Sequence, residues 1–179
     1  FGFFSKLIKS DKFVIFDNVY APLGKSWLTR NKILMNGNPL WITLPVYKGK
    51  QIRIKELKIA NDTQFKRKHL GSMKSAYGKA TFFPQIFEYI ESIYNKKISF
   101  VSEFNMELIF LFVKIMKIKT EFVYASDLMS NKESSGLFGN EMVLEIAKRA
   151  GATVYYSGTG CTDFIQPEEF EKKKIKFIF

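Results

Sequence analysis

Lys12-Phe13-Val14-Ile15-Phe16-Asp17-Asn18 reads as a strand that stops against an acid. Its apolar residues follow one another instead of alternating, the pattern of a strand covered on both faces inside a sheet. Residues 3–10 upstream suit a helix. The same helix-then-strand order returns near the other end. There Asn140 is placed to cap a helix running to Ala150, Gly151 ends it, and residues 153–157 form a strand. An acidic-basic helix behind Pro167 then leads to a last strand at residues 175–179. This alternation predicts parallel strands joined by crossover helices.

Between these ends the pattern changes. Residues 20–25 form a polar loop broken by Pro22 and Gly24, and residues 27–34 are a mixed stretch. Asn36-Gly37-Asn38 is a turn signal that opens onto a half-buried strand, residues 40–44, with Pro45 marking an edge or a bulge. Residues 52–59 alternate but slip at Glu56, where a bulge or break is expected. Phe65, His69, Met73 and Tyr77 recur every fourth residue on one helix face, and Pro84 opens a second helix. Ser102 is the expected N-cap of a helix over residues 103–117 that is apolar nearly all round and therefore expected to be buried. A strand at residues 121–125 and a polar loop at 126–139 complete the pass. The fold class expected is α/β: a mixed, mostly parallel sheet flanked by helices, in one domain over residues 1–179. The chain begins at Phe1 with a helix under way, so a first strand is expected to be missing.

Composition narrows the function classes. A hydrophobic content of 46% with 19 Phe excludes global disorder, and 179 residues suffice for a sizeable core. The single Cys161 cannot form an internal disulfide, and no basic-then-apolar leader opens the chain, so a reducing, cytoplasmic location is expected. The most apolar stretch, residues 108–116, carries Lys114 and falls short of the roughly 20 residues of a membrane span. The net charge of +11 invites a nucleic-acid reading. Against it, Lys supplies 24 of the 28 basic residues, scattered singly along several elements, and Arg only four, whereas dedicated nucleic-acid surfaces lean on the bidentate fork of Arg. Nucleic acid is therefore not the expected partner; a polyanionic small substrate draws on the same field.

Several residues carry chemistry. Asp17, with Asn18 beside it, stands at the carboxyl end of a strand, where open α/β sheets bind ligands; the alternative is a strand-end Asx turn. Lys25, Trp27, Arg30 and Asn31 follow closely. A Trp beside an Arg makes a wall for a planar or sugar group while the Arg holds a carboxylate or phosphate; the alternative is a surface ion pair and a core Trp. His69 is the only side chain whose ordinary pKa suits proton transfer near neutrality, yet its place on an apolar stripe also fits a hydrogen-bonded core residue. Gly158-Thr159-Gly160 after a strand is a weak phosphate-loop signal against a tight turn. One His and one Cys leave no set for a structural zinc, and no metal site is expected.

Taken in order, Phe3-Phe4-Ser5 through Asn18, Trp27-Leu28-Thr29-Arg30-Asn31, Gly37 followed by Trp41-Ile42-Thr43-Leu44-Pro45-Val46, and the His69, Tyr77, Phe82-Phe83 spacing resemble the WbqC-like protein family. So do Gly151-Ala152, Tyr155-Tyr156-Ser157-Gly158 and Asp163-Phe164. The resemblance covers nearly the whole chain. Family members open with a short strand and a Gln-Pro-x-Tyr-x-Pro-like loop, absent here, and carry a second acid where this chain has Asn18. The resemblance implies an enzyme of bacterial surface-polysaccharide (O-antigen-type) biosynthesis that transfers an acyl or aminoacyl group, such as glycyl, to a nucleotide-activated amino sugar. With that activity as the expectation, Asp17, His69 and Arg30 are the expected catalytic residues. Substrate contacts fall to Asn18, Tyr20, Lys25, Trp27, Asn31, Tyr77, Ser157, Gly158 and Asp163. The opening is also similar to that of nucleotidylyltransferase-like domains, which brings in ATP and an adenylating step. The implied partners are a nucleotide-sugar and an amino acid. Two other classes compete: a carbohydrate- or nucleic-acid-binding module, and a noncatalytic partner of a glycan-assembly complex.

Overall fold

A computed structural model describes residues 2–47, 49–60 and 64–179. The elements run α1 Gly2–Ile8, β1 Lys12–Ile15, β2 Arg30–Met35, β3 Asn38–Thr43, α2 Gln64–Tyr77, α3 Phe83–Asn95, α4 Val101–Ile115, β4 Glu121–Tyr124, α5 Ala125–Leu128, α6 Gly139–Arg149, β5 Val154–Tyr156, α7 Pro167–Lys172 and β6 Lys176–Ile178. The α/β class holds. Among the described residues the sheet is present as three two-stranded pieces, two parallel and one antiparallel, instead of one continuous sheet. The chain forms two compact units: Phe1–Asn18 with Lys117–Phe179, and Val19–Met116.

In the first unit β1 pairs in parallel with β4, Lys12 opposite Glu121 and Ile15 opposite Tyr124. The β5–α7–β6 segment is a parallel pair with its crossover helix. Phe170 of α7 is fully buried there, stacked on Tyr155 and packed against Ile165, Ile175 and Ala147 of α6. Helix α6 ends as Gly151 promised. With φ at +73°, Gly151 donates to Lys148 and Ala152 donates to Ala147, the paired bonds of a Schellman stop. Asn140 does not cap α6. The helix starts one residue earlier, at Gly139, and the Asn140 Oδ1 instead accepts the N–H of Gln166 in front of α7 (2.8 Å).

The second unit is a β-hairpin followed by three helices. Both turn residues have positive φ, +50° at Asn36 and +76° at Gly37, as a type I′ turn requires. Its register sets Met35 opposite Asn38 and Arg30 opposite Thr43. The expected break at Glu56 is a 3₁₀ turn, Ile54–Glu56. The core gathers Leu44, Leu57, Phe65, Ile90, Ile93, Tyr94, Val101 and Phe104. Ser102 is not the cap of α4, which begins at Val101. The Val101 N–H is satisfied by the Leu57 carbonyl through strand-like pairing with the preceding segment, so no side-chain cap is needed. Nor is α4 buried all round. Phe104, Leu108, Leu111 and Phe112 face the core at helical spacing, while Phe110 and Ile115 are exposed. Met106 is buried as well, so the exposure is local, at Phe110 and at the C-terminal turn.

Candidate functional site

The hairpin β2–β3 carries the most site-like group of side chains. Strand alternation sends Arg30 and Lys32 to one face, and the register sets Trp41 directly opposite Lys32. The Arg30 guanidinium lies 3.7 Å from the Trp41 ring centroid, and the Lys32 ammonium 4.7 Å from it. Trp27 joins from the turn before β2, its ring 5.3 Å from Trp41 at 43°. Asn105 of α4 pins the backbone beside it, donating to the Leu28 carbonyl at 2.9 Å. Trp27 is 68% exposed and Trp41 38%, so two indoles and two cations form an open platform. A guanidinium lying on an indole keeps its in-plane N–H donors for a carboxylate or phosphate. Indole faces stack on the apolar face of a sugar or on a base.

Asn31, expected beside Arg30, faces the other way. It is exposed, and its Oδ1 accepts the neighbouring Lys32 N–H. Lys25 is exposed in the loop before Trp27, and Tyr20 is half-exposed with the Arg53 guanidinium 5.1 Å from its ring. Trp41 and Lys32 were not candidates from the sequence. The Asn36-Gly37 turn holds the signal that finds them: a two-residue hairpin loop fixes the register and so sets Trp41 across from Lys32.

His69 and Tyr77 both turn from α2 toward this hairpin, and both meet backbone. His69 is buried. Its Nε2 lies 3.1 Å from the Thr43 carbonyl and its Nδ1 3.1 Å from the Tyr94 hydroxyl. A carbonyl only accepts, so Nε2 carries the proton and Nδ1 accepts from Tyr94. Burial lowers the His69 pKa from its ordinary value, and the Thr43 carbonyl opposes this in part. Burial raises the Tyr94 phenol, which stays an O–H donor. Tyr77 accepts the Leu34 N–H on its hydroxyl at 2.9 Å. Helix α2 thus grips both strands, β3 through His69 and β2 through Tyr77.

The remaining candidates belong to the first unit. Asp17 is buried at the end of β1. Its Oδ1 accepts the Ser126 N–H (2.9 Å) and its Oδ2 the Ser126 hydroxyl (2.7 Å), which ties the end of β1 to the start of α5. Burial and the negative charge of Asp17 and Asp127 raise the nearby Tyr124 phenol. Asn18 is fully buried and donates to the Met129 carbonyl at 3.4 Å. Ser157 is buried and shares a hydrogen bond with Cys161, whose thiol reaches the Gly158 carbonyl at 2.8 Å. The Gly-Thr-Gly segment enters a 3₁₀ turn, Thr159–Cys161. The Lys6 ammonium lies beside Gly158, 3.6 Å from where a Cβ would stand. Asp163 is exposed.

Within one unit, then, Trp27, Arg30 and Lys32 all meet Trp41, while His69 and Tyr77 hold the hairpin from α2. Among the described residues no three His, Cys, Asp or Glu side chains are grouped to hold a metal ion, and no helix is long and apolar enough to cross a membrane.

No curated protein and no solved structure matches the chain. A family match covers residues 1–179, and the chain belongs to the WbqC-like protein family, a family linked to polysaccharide biosynthesis.

Proposed function

We propose that the protein binds a nucleotide-activated amino sugar on the Trp27–Trp41 platform and serves bacterial surface-polysaccharide assembly by amide-forming transfer to the sugar nitrogen. The observation that carries this reading is the placing of Arg30 and Lys32 on one face of β2 against Trp41. Cations suit the phosphates, and the two indoles suit a sugar ring or a base. In the reaction the amino nitrogen attacks an activated acyl carbon, such as that of an aminoacyl adenylate made with ATP. The C–N bond forms, the nucleotide leaves with the electron pair of the broken C–O bond, and the nitrogen releases a proton. An amine that is already neutral asks the protein chiefly for positioning and for binding of the departing phosphate. That suits a chain in which His69 and Asp17, each in its own unit, are already engaged by neighbouring groups.

That same engagement of His69 and Asp17 favours a second reading, a sugar-phosphate-binding module or noncatalytic partner in glycan assembly. Thermal-shift screening with a nucleotide-sugar, the nucleoside diphosphate and the free sugar tests the binding. Ligand at a hundred times its Kd adds about 2.7 kcal/mol, a rise of several degrees. No shift with any of the three ends the proposal. Incubation with a nucleotide-activated amino sugar, an amino acid and ATP, followed by mass spectrometry, separates the readings. An amide adduct supports the transferase, and binding without product supports the module.

A further inference from the structure

The lysines are spread along the chain, but the acids are not, and the net charge gathers in one stretch. Residues 19–70 hold eleven Lys and Arg against two acids, Glu56 and Asp62, a net +9 out of +11 for the whole chain. Within this stretch Val19 and Ala21 pair antiparallel with Ile54 and Ile52, Tyr20 bridging to Arg53. Both strands leave that ladder at the same end. One runs into Pro22-Leu23-Gly24-Lys25, with φ at +90° for Gly24; the other comes from the turn at Lys50-Gln51, with φ at +57° for Gln51. Leu23 at this tip is 76% exposed, more than any other large apolar side chain among the described residues. Exposed Lys25 and Lys50 flank it, and half-exposed Tyr20 stands at the base of the loop.

Two properties have to be satisfied together: a segment of strong net positive charge, with Lys25 and Lys50 exposed near its tip, and an aliphatic tip held in water by a turn. A polyanion in water answers the first and leaves Leu23 wet. Eight of the eleven cations are Lys, which meet phosphate as point charges without the bidentate base-reading fork of Arg. An anionic bilayer answers both. Headgroup phosphates attract the lysines, the acyl boundary takes the leucine, and a half-exposed tyrosine at the base of the loop is the residue type that settles at membrane interfaces. We infer that the loop at residues 20–25, with Lys50 beside it, docks this protein peripherally on a lipid surface rich in anionic headgroups, Leu23 entering the acyl boundary.

Vesicle flotation tests the inference with the full chain. Vesicles of phosphatidylcholine containing about a third phosphatidylglycerol are compared with phosphatidylcholine alone, at roughly 0.1 M salt, where screening extends over about 10 Å. The protein floats with the anionic vesicles and not with the neutral ones, and raising the salt releases it. Leu23→Glu weakens partitioning about tenfold or more. Leu23→Trp, which restores an interfacial side chain, retains it. Leu23 is exposed, so both variants keep the wild-type thermal midpoint; a variant that does not is replaced by Leu23→Ser, for which the same loss is expected. Absence of vesicle binding overturns the inference, as does binding indifferent to Leu23→Glu. Retention on an oligonucleotide with no flotation assigns the basic segment to nucleic acid instead.

Discussion

Replacing His69 by Phe keeps a ring in the core and removes both hydrogen bonds of the imidazole. The Tyr94 hydroxyl, on a side chain only 2% exposed, then has no acceptor at Nδ1, and the Thr43 carbonyl loses its donor. A buried polar group left unsatisfied costs about 1–3 kcal/mol, and the carbonyl loss adds about 0.5–1.5 kcal/mol. The expected total is roughly 2–4 kcal/mol, a fall in thermal midpoint of about 5–15 °C for a chain of this size. Adding Tyr94→Phe removes the stranded hydroxyl, so the double variant is less destabilised than the sum of the singles by about 1 kcal/mol or more. The pH dependence carries a second signature. The His69 pKa is lowered in the folded state. Its contribution to stability is therefore complete above the ordinary histidine value and is lost as pH falls below it toward the folded pKa. His69→Phe flattens the stability curve in that window. Calorimetry across pH on the wild type, both singles and the double checks each point. An unchanged midpoint for His69→Phe, with transfer activity cut on the order of a hundredfold, would refute the reasoning and make His69 an acid or base.

Asp17 receives the same kind of test. Asp17→Ala strips the Ser126 N–H and hydroxyl of their acceptor and is expected to cost about 2–3 kcal/mol, whereas Asp17→Asn retains one acceptor and can donate to the hydroxyl, so it stays folded and active. A stable but inactive Asp17→Asn would mark a catalytic carboxylate. Glu133 is held at about 2 by the Ser130 hydroxyl, Arg149 and the Ser130 N–H. Its contribution is present above the usual carboxylate range and lost as pH falls toward 2, so between those limits the wild-type midpoint drops more steeply than that of Arg149→Ala, as a pH series of melting curves would show.

Period and punctuation were the legible part of the fold. The Asn36-Gly37 turn, the α2 stripe and the Gly151 stop each depend on a few adjacent residues, and each was readable from them. The apolar run of β1 marked a strand but not its burial: among the described residues β1 pairs with β4 alone, and Phe13, Val14 and Ile15 are only half-buried. The cap at Ser102 was misread because the Leu57 carbonyl, distant in sequence, satisfies the Val101 N–H. Asn140 was misread for the same reason: its partner, Gln166, comes from another element. In the candidate site, Trp27 and Arg30 were legible as candidates from proximity, but the structure joins them through Trp41. Trp41 reaches them only through the hairpin register, and Asn31 was grouped wrongly because neighbours on a strand face opposite ways. His69 was legible as a buried polar residue; that it holds the Thr43 carbonyl behind the platform depends on tertiary packing.

The chain has two tryptophans, Trp27 and Trp41, and both lie on the proposed platform. Intrinsic tryptophan fluorescence therefore reports on that surface alone. Titration with a nucleotide-activated amino sugar is expected to give a saturable change, and Arg30→Ala to shift its midpoint about tenfold or more, as loss of a charge-assisted contact of roughly 1.5–3 kcal/mol requires. A nucleotide-sugar that stabilises the protein against heat while leaving this fluorescence unchanged would contradict the account and place the ligand elsewhere.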